Sequence, residues 1–149
     1  METTLEKTPA FIEICKSFGF DHNEIPEITS FESACNALGI KTDVPDVSAL
    51  PEKHQKALIA HYKLIIIAEA LNQGWTPNYN DYDEWKYFPW FEVEASEENP
   101  SGSGFSRSDC DYWNTHATVG SRLCFRTKTL AKYAGRQFEE LYKDYFLIG

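Results

Sequence analysis

The chain has 149 residues, 14 Lys and Arg against 23 Asp and Glu, and a formal net charge of −9. That length suits one domain, 1–149, able to bury roughly two thirds of its unfolded surface without a metal or a disulfide. The acidic balance makes nucleic acid a poor partner, because phosphate backbones are repelled unless basic residues are strongly segregated.

The opening METTLEKTPAF has neither the basic start nor the apolar core of a secretory signal. The longest uninterrupted apolar run, residues 64–68, is too short to cross a bilayer. A soluble protein of the cytoplasm is expected, with no membrane partner. Cys15, Cys35, Cys110 and Cys124 are widely spaced, with no CxxC and no Cys/His cluster at zinc-finger spacing. They read as packed thiols, and no metal or cofactor is expected.

In chain order, Thr8 and Pro9 form an N-cap and N1 pair. Phe11, Ile12, Ile14, Cys15 and Phe18 then keep helical spacing up to a stop at Gly19. Thr29-Ser30-Phe31-Glu32 reads as a capping box closed by Glu32, opening a second short helix that ends at Gly39. The two segments are alike: Cys15-x-x-Phe18-Gly19-Phe20 matches Cys35-x-x-Leu38-Gly39-Ile40, and each precedes an X-Pro segment, at Ile25-Pro26 and at Val44-Pro45. Residues 1–50 are therefore a helical subregion holding either a two-copy repeat or two convergent helix stops.

Pro51 opens the longest predicted helix, of roughly 22 residues and about 33 Å, ending at Gly74. Its first half is amphipathic, but residues 64–68 (LIIIA) are apolar on every side, as a helix surrounded by core must be.

The helix leads into residues 75–91, WTPNYNDYDEWKYFPWF, with eight aromatic rings in seventeen residues. At roughly 150 Å² or more per ring this is about 1,200 Å² of surface, against about 300–600 Å² for the largest apolar patch of an ordinary monomer. Either most of these rings are core or a binding surface lies here. Asn and Asp mark an irregular turn through residue 83. From Trp85 onward alternation predicts a strand, with Tyr87, Pro89, Phe91 and Val93 on one face and Phe88, Trp90, Glu92 and Glu94 on the other; Pro89 makes it an edge or bulged strand.

Residues 96–108 read as a mobile Gly/Ser/acid-rich loop, and residues 115–119 and 121–125 as two short strands completing a three-stranded antiparallel sheet. Thr127 caps a final helix through Leu130, Ala134, Phe138, Leu141 and Tyr145, expected to lie on the face carrying Leu123 and Phe125. Gly135 within it implies a close backbone approach. The fold class is α+β.

Over residues 57–146, about the last two thirds of the chain, the order of features resembles a group of small uncharacterised proteins of phages and prophage-bearing gut bacteria. The most specific pieces are EALNxGWxPxY, KYxPWF and SRLCFRTKxLAxYAGxQF. The resemblance implies a phage or mobile-element context, in the host cytoplasm or in the virion, and carries no known activity, catalytic residue or cofactor.

No catalytic signature stands out. His54 and His61 lack a metal-binding spacing, His116 with Cys110 or Cys124 has no local orienting group, and no Gly-rich phosphate loop joins a strand to a helix. The chain reads as a non-enzymatic interaction protein that binds another protein or itself through the aromatic sheet face. The candidate residues are Trp75, Tyr79, Tyr82, Trp85, Phe88, Trp90, Arg122 and Arg126. The alternative is a small-ligand binder, in which rings and guanidinium groups hold a nucleotide-like or sugar ligand.

Overall fold

The computed structural model describes residues 6–148. Helix α1 (Pro9–Phe18) starts where the Phe11 N–H donates to Thr8 Oγ1 at 3.3 Å and ends at Gly19, φ 80°. Helix α2 (Phe31–Leu38) is capped by Ser30, but its capping box is closed by Ser33: Ser33 Oγ accepts from the Ser30 N–H at 3.0 Å and from the Thr29 N–H at 3.0 Å. Glu32, expected in that role, stands one position early and stays exposed.

Both helices stop identically. Phe20 N–H reaches Cys15 O (2.8 Å) and Ile40 N–H reaches Cys35 O (3.0 Å), the Schellman pattern around a left-handed glycine. The segments that follow diverge. After α1, a single 3-10 turn (His22–Glu24) leads to buried Ile25 and Ile28, whereas after α2 only Val47 is buried and Val44 lies open. The likeness of the two halves is thus one of helix stops.

Helix α3 (Glu52–Asn72) runs through the core, with Ala60, Leu64, Ile66, Ile67, Ala68, Ala70 and Leu71 buried. It ends at Gln73 (φ 48°), one residue before the expected glycine; Gly74 continues the left-handed turn. Its last residue, Asn72, is buried and bonded at both ends of its amide. Its Nδ2 donates to Cys124 O (2.9 Å) and its Oδ1 accepts from the Arg126 N–H (3.0 Å), which ties residues 124–126 to the helix end.

Strands β1 (Lys86–Glu94) and β2 (Gly104–Trp113) form an antiparallel ribbon, with a bulge between Glu92 and Val93. The sheet has two strands among the described residues, and β2 starts inside the stretch expected to be a mobile loop. Residues 115–119 and 121–125 are not strands. Only Phe125 touches the ribbon, exchanging two hydrogen bonds with Tyr87 (3.1 and 2.7 Å) on the outer edge of β1.

Two physical causes stop this pairing. Peptide groups alternate along a strand, so the nitrogen of Pro89 points to the same outer edge as that of Tyr87 and has no proton to continue the ladder. Leu123, Cys124 and Phe125 are moreover consecutively buried, sealed into the core rather than resting one face on a sheet.

The final helix is two helices, α4 (Lys128–Gln137) and α5 (Glu139–Phe146), broken at buried Phe138. Helix α4 lies on the ribbon face carrying Pro89 and Phe91, not on one carrying Leu123 and Phe125. A Cβ at Gly135 would sit 3.0 Å from Pro89 Cβ and 3.6 Å from the Phe91 ring, so the close approach implied by that glycine is present. Tyr133, inside α4, donates to Ile28 O at 2.5 Å and joins this layer to the N-terminal helices. No helix among the described residues is long and apolar enough to cross a membrane.

Candidate functional site: the open end of the ribbon

Residues 78–86 carry few apolar side chains pointing inward, so polar groups hold them. Asn78 and Asp81 close two tight turns by accepting the N–H two residues on, from Asn80 at 2.9 Å and Asp83 at 3.0 Å. Glu84 accepts from the Asn78 N–H (2.7 Å) and from the Trp75 indole N–H (3.2 Å).

At the centre is Lys86, only 2% exposed. Its ammonium shares its three protons among the carbonyls of Asn78 (2.7 Å), Asp81 (3.2 Å), Glu84 (2.9 Å) and Asn114 (2.9 Å). It also lies 3.3 Å from the Glu84 carboxylate and 5.1 Å from the centre of the Tyr79 ring. A buried ammonium is tolerated when paired and ringed by acceptors. Partial burial would raise the Glu84 carboxyl, but the Asn78 and Trp75 hydrogen bonds and the Lys86 charge outweigh it and hold the group below its ordinary range. The Asn114 side chain donates to Tyr82 O at 2.7 Å, joining the turn to the end of β2.

This polar clamp presents rings outward. Tyr82 (68% exposed) and Trp85 (43%) stand just before β1, and Tyr112 (49%) and Trp113 (42%) at the end of β2, Trp85 and Tyr112 on the Tyr87 face of the ribbon and Trp113 on the Lys86 face. Trp85 meets Tyr112 edge-on at 4.8 Å, Tyr112 lies 5.7 Å from Tyr87, and Trp113 meets His116 at 5.9 Å.

The other candidate residues are not exposed with this group. Phe88 is buried beside Trp113, Tyr79 and Lys86, with residues 116–120 and Cys124 around it. Half-buried Trp90 carries Arg107 at 5.7 Å. Arg122 lines a separate cleft of about 380 Å³ with Trp75, Glu69 and Pro77, and Arg126 lines another with Lys7 and Thr127. A surface pairing Phe88 and Trp90 with Arg122 therefore does not form, because residues 121–125 do not lie alongside β1. Half-buried Tyr79 packs inward, and burial, with the Cys124 thiol beside it, raises its phenol. Tyr112, Trp113 and Lys86 are the residues missed from sequence; the adjacent Tyr-Trp at the end of an alternating segment was the available signal for the first two.

Two N–H groups on the free edge of β2 are occupied by side chains. Tyr87 turns its peptide groups away from β2, so those of its partner Tyr112 and, two residues before it, of Cys110 turn away from β1. The Cys110 N–H donates to Asp109 Oδ1 (2.8 Å) and the Tyr112 N–H to Asp111 Oδ1 (2.8 Å). That Cys110 hydrogen bond, with Lys132 at 3.6 Å and Arg107 at 3.7 Å, outweighs burial and holds the Asp109 carboxyl below its ordinary range.

Burial holds the thiols above their ordinary range. Burial pushes Cys124 up to about 11 and raises Cys110 against the opposing pull of Lys132, whereas a reactive thiol is held low. His116 is exposed and bonds Thr115; His61 stacks on Tyr145 at 4.5 Å while His54 faces solvent. Among the described residues no three His, Cys, Asp or Glu side chains converge as metal ligands would. No family model, curated protein or solved structure matches the chain.

Proposed function

We propose that the protein is a non-enzymatic interaction protein of phage or mobile-element context, acting in the host cytoplasm or as part of a virion, that binds another protein through the open end of its ribbon. The observation that carries this reading is the placement of Tyr82, Trp85, Tyr112 and Trp113, four large rings left open at one end of a clamped scaffold. Tyr and Trp dominate interface energetics because they bury much area with few rotatable bonds. A partner approaching here meets side chains rather than backbone. Asp109 and Asp111 take up two N–H groups on the β2 edge, and Phe125 and Pro89 interrupt the β1 edge, which disfavours strand addition, the common route to edge-to-edge pairing.

The test compares the native chain with a Trp85→Ala/Trp113→Ala variant as bait in a lysate of the natural host, alongside light scattering of each alone. The expected result is a protein retained by the native chain and lost by a folded variant. Equal retention by both, or nothing retained by a strictly monomeric native chain, overturns the reading.

A second reading is favoured by one observation, the Trp75/Arg122/Glu69 cleft of about 380 Å³. This is within the usual size range for small-molecule sites. Trp75 commits its N–H to Glu84 and leaves its ring face for stacking, while Arg122 supplies a donor for an anionic group. Titration with nucleotides and oligosaccharides that changes the fluorescence of native protein, but not of Trp75→Phe, supports it; no change across the panel removes it.

A further inference from the structure

From the distribution of charge around the open end we infer that its partner presents a cationic segment that wraps the ribbon tip, with Arg or Lys side chains laid over Trp85 and Tyr112 on one face and over Trp113 on the other; this deepens, and rests on, the protein-binding reading above.

The first ground is how the chain treats its other rings. Phe11, Phe20, Phe31, Tyr79 and Trp90 each carry a lysine or arginine of the chain itself, with cation-to-centroid distances between 5.1 and 5.7 Å. None of the four rings at the open end does, among the described residues. Ring faces attract cations through their quadrupole, best for Trp, so these faces keep that capacity unused.

The second ground is the charge around them. Residues 75–85 and 108–121, which build this end, contain no Lys or Arg. The cations that flank these segments are engaged elsewhere: Lys86 is buried in its carbonyl cage, Arg107 lies over Trp90 and beside Asp109, and Arg122 lines the Trp75 cleft. Asp81, Asp83 and Asp111 are exposed here, and among the described residues none has a cationic partner within 4.0 Å. Exposed rings edged by unneutralised carboxylates match a guanidinium or ammonium, which can stack on the ring and pair with the acid together. The same surface repels phosphates and acidic peptides, and the net charge of −9 extends that preference to encounter. A second copy of an equally acidic chain fits less well.

The test follows the indole N–H signals of the native protein by NMR, assigned with single Trp→Phe variants. Three capped peptides are added, each with four charged or test positions separated by glycines: arginine, its neutral isostere citrulline, and glutamate. The expected result is saturable movement of the Trp85 and Trp113 signals with the arginine peptide, Trp75 staying still, at least about tenfold stronger than with citrulline. Raising the salt from about 50 to about 500 mM, or replacing Asp81, Asp83 and Asp111 together by Asn, should weaken it about tenfold. Asn keeps the oxygen that Asp81 and Asp111 use in their local hydrogen bonds, so the scaffold is preserved.

Equal binding of citrulline, indifference to the three Asn substitutions, movement of no tip indole, or dilution-dependent movement without peptide, which marks a second copy as occupant, each overturns the cationic partner. Protein capture that still depends on Trp85 and Trp113 would leave the wider reading standing; capture indifferent to them removes both.

Discussion

The two ends of one ribbon use the same kinds of residue in opposite ways. At the closed end Phe91 stacks on Phe105 at 4.2 Å and 15°, and packs on Tyr142 (5.2 Å) and Phe146 (5.9 Å) under α4 and α5. At the open end the ring partners of Trp85 and Tyr112 among the described residues are each other and Tyr87, and both rings stay more than 40% exposed. The difference lies in what covers the rings. The aromatic richness of a segment therefore does not say whether it is core or surface, and the course of the next helix does.

The sharpest way to break this contrast is to remove what holds the open end in place. Lys86→Met leaves the carbonyls of Asn78, Asp81, Glu84 and Asn114 and the Glu84 carboxylate without their shared donor. Loss of one member of a buried pair is worth about 3–5 kcal/mol, and urea unfolding should register a loss of that order. A loss below about 1 kcal/mol would mean that the turn holds itself.

Next in size is an alkaline effect beneath Phe88. Cys124 has its thiol raised from 9.0 to about 11, chiefly by burial. A raised pKa contributes stability that is complete below the unfolded value and lost as pH climbs through the folded one. Stability should thus decline between pH 9 and 11 by up to about 2–3 kcal/mol, and Cys124→Ser should flatten that part of the profile.

At the closed end, Gly135→Leu forces side-chain atoms into Pro89 and Phe91 and should remove about 1–3 kcal/mol. Gly135→Ala should be nearly neutral, the helix gain of about 1 kcal/mol offsetting the 3.0 Å approach. Thermal melts of the two variants distinguish close packing from mere helix propensity.

The smallest expected change is acidic and local. Glu84 has a lowered pKa, so the stability it adds is complete above its ordinary value of 4.5 and lost as pH falls below it. The indole signals of Trp75 and Trp85 should broaden on acidification before the Phe91 amide does. Simultaneous loss would make the two ends one cooperative unit.

Local rules made the helices legible. Thr8-Pro9, Gly19, Gly39 and the all-round apolar LIIIA act within a few residues of where they stand, and the structure honours each. The sheet was less legible because a third strand looks right by alternation at Leu123 and Phe125, while its absence depends on Pro89, more than thirty residues earlier in the chain, lacking a proton on one particular edge. The capping error is of the same kind: Glu32 fits by residue type, but Ser33 holds the third helical position. For the candidate site, the exposed Tyr82 and Trp85 were legible because ring density is visible in sequence. Tyr112 and Trp113 were missed because the Gly/Ser/acid-rich stretch before them hid the start of β2. Lys86 looked like any surface lysine, since its cage is built from backbone carbonyls that carry no residue signature.

The contrast between the ends is tested most directly by urea unfolding of two single variants, Trp85→Ala and Phe91→Ala. If the open end is a surface kept for a partner, Trp85→Ala should lose about 1 kcal/mol or less, the scale of one aromatic pair, while Phe91→Ala loses about 3 kcal/mol. Equal losses, or a larger loss for Trp85→Ala, would show that Trp85 belongs to the core and would contradict the account.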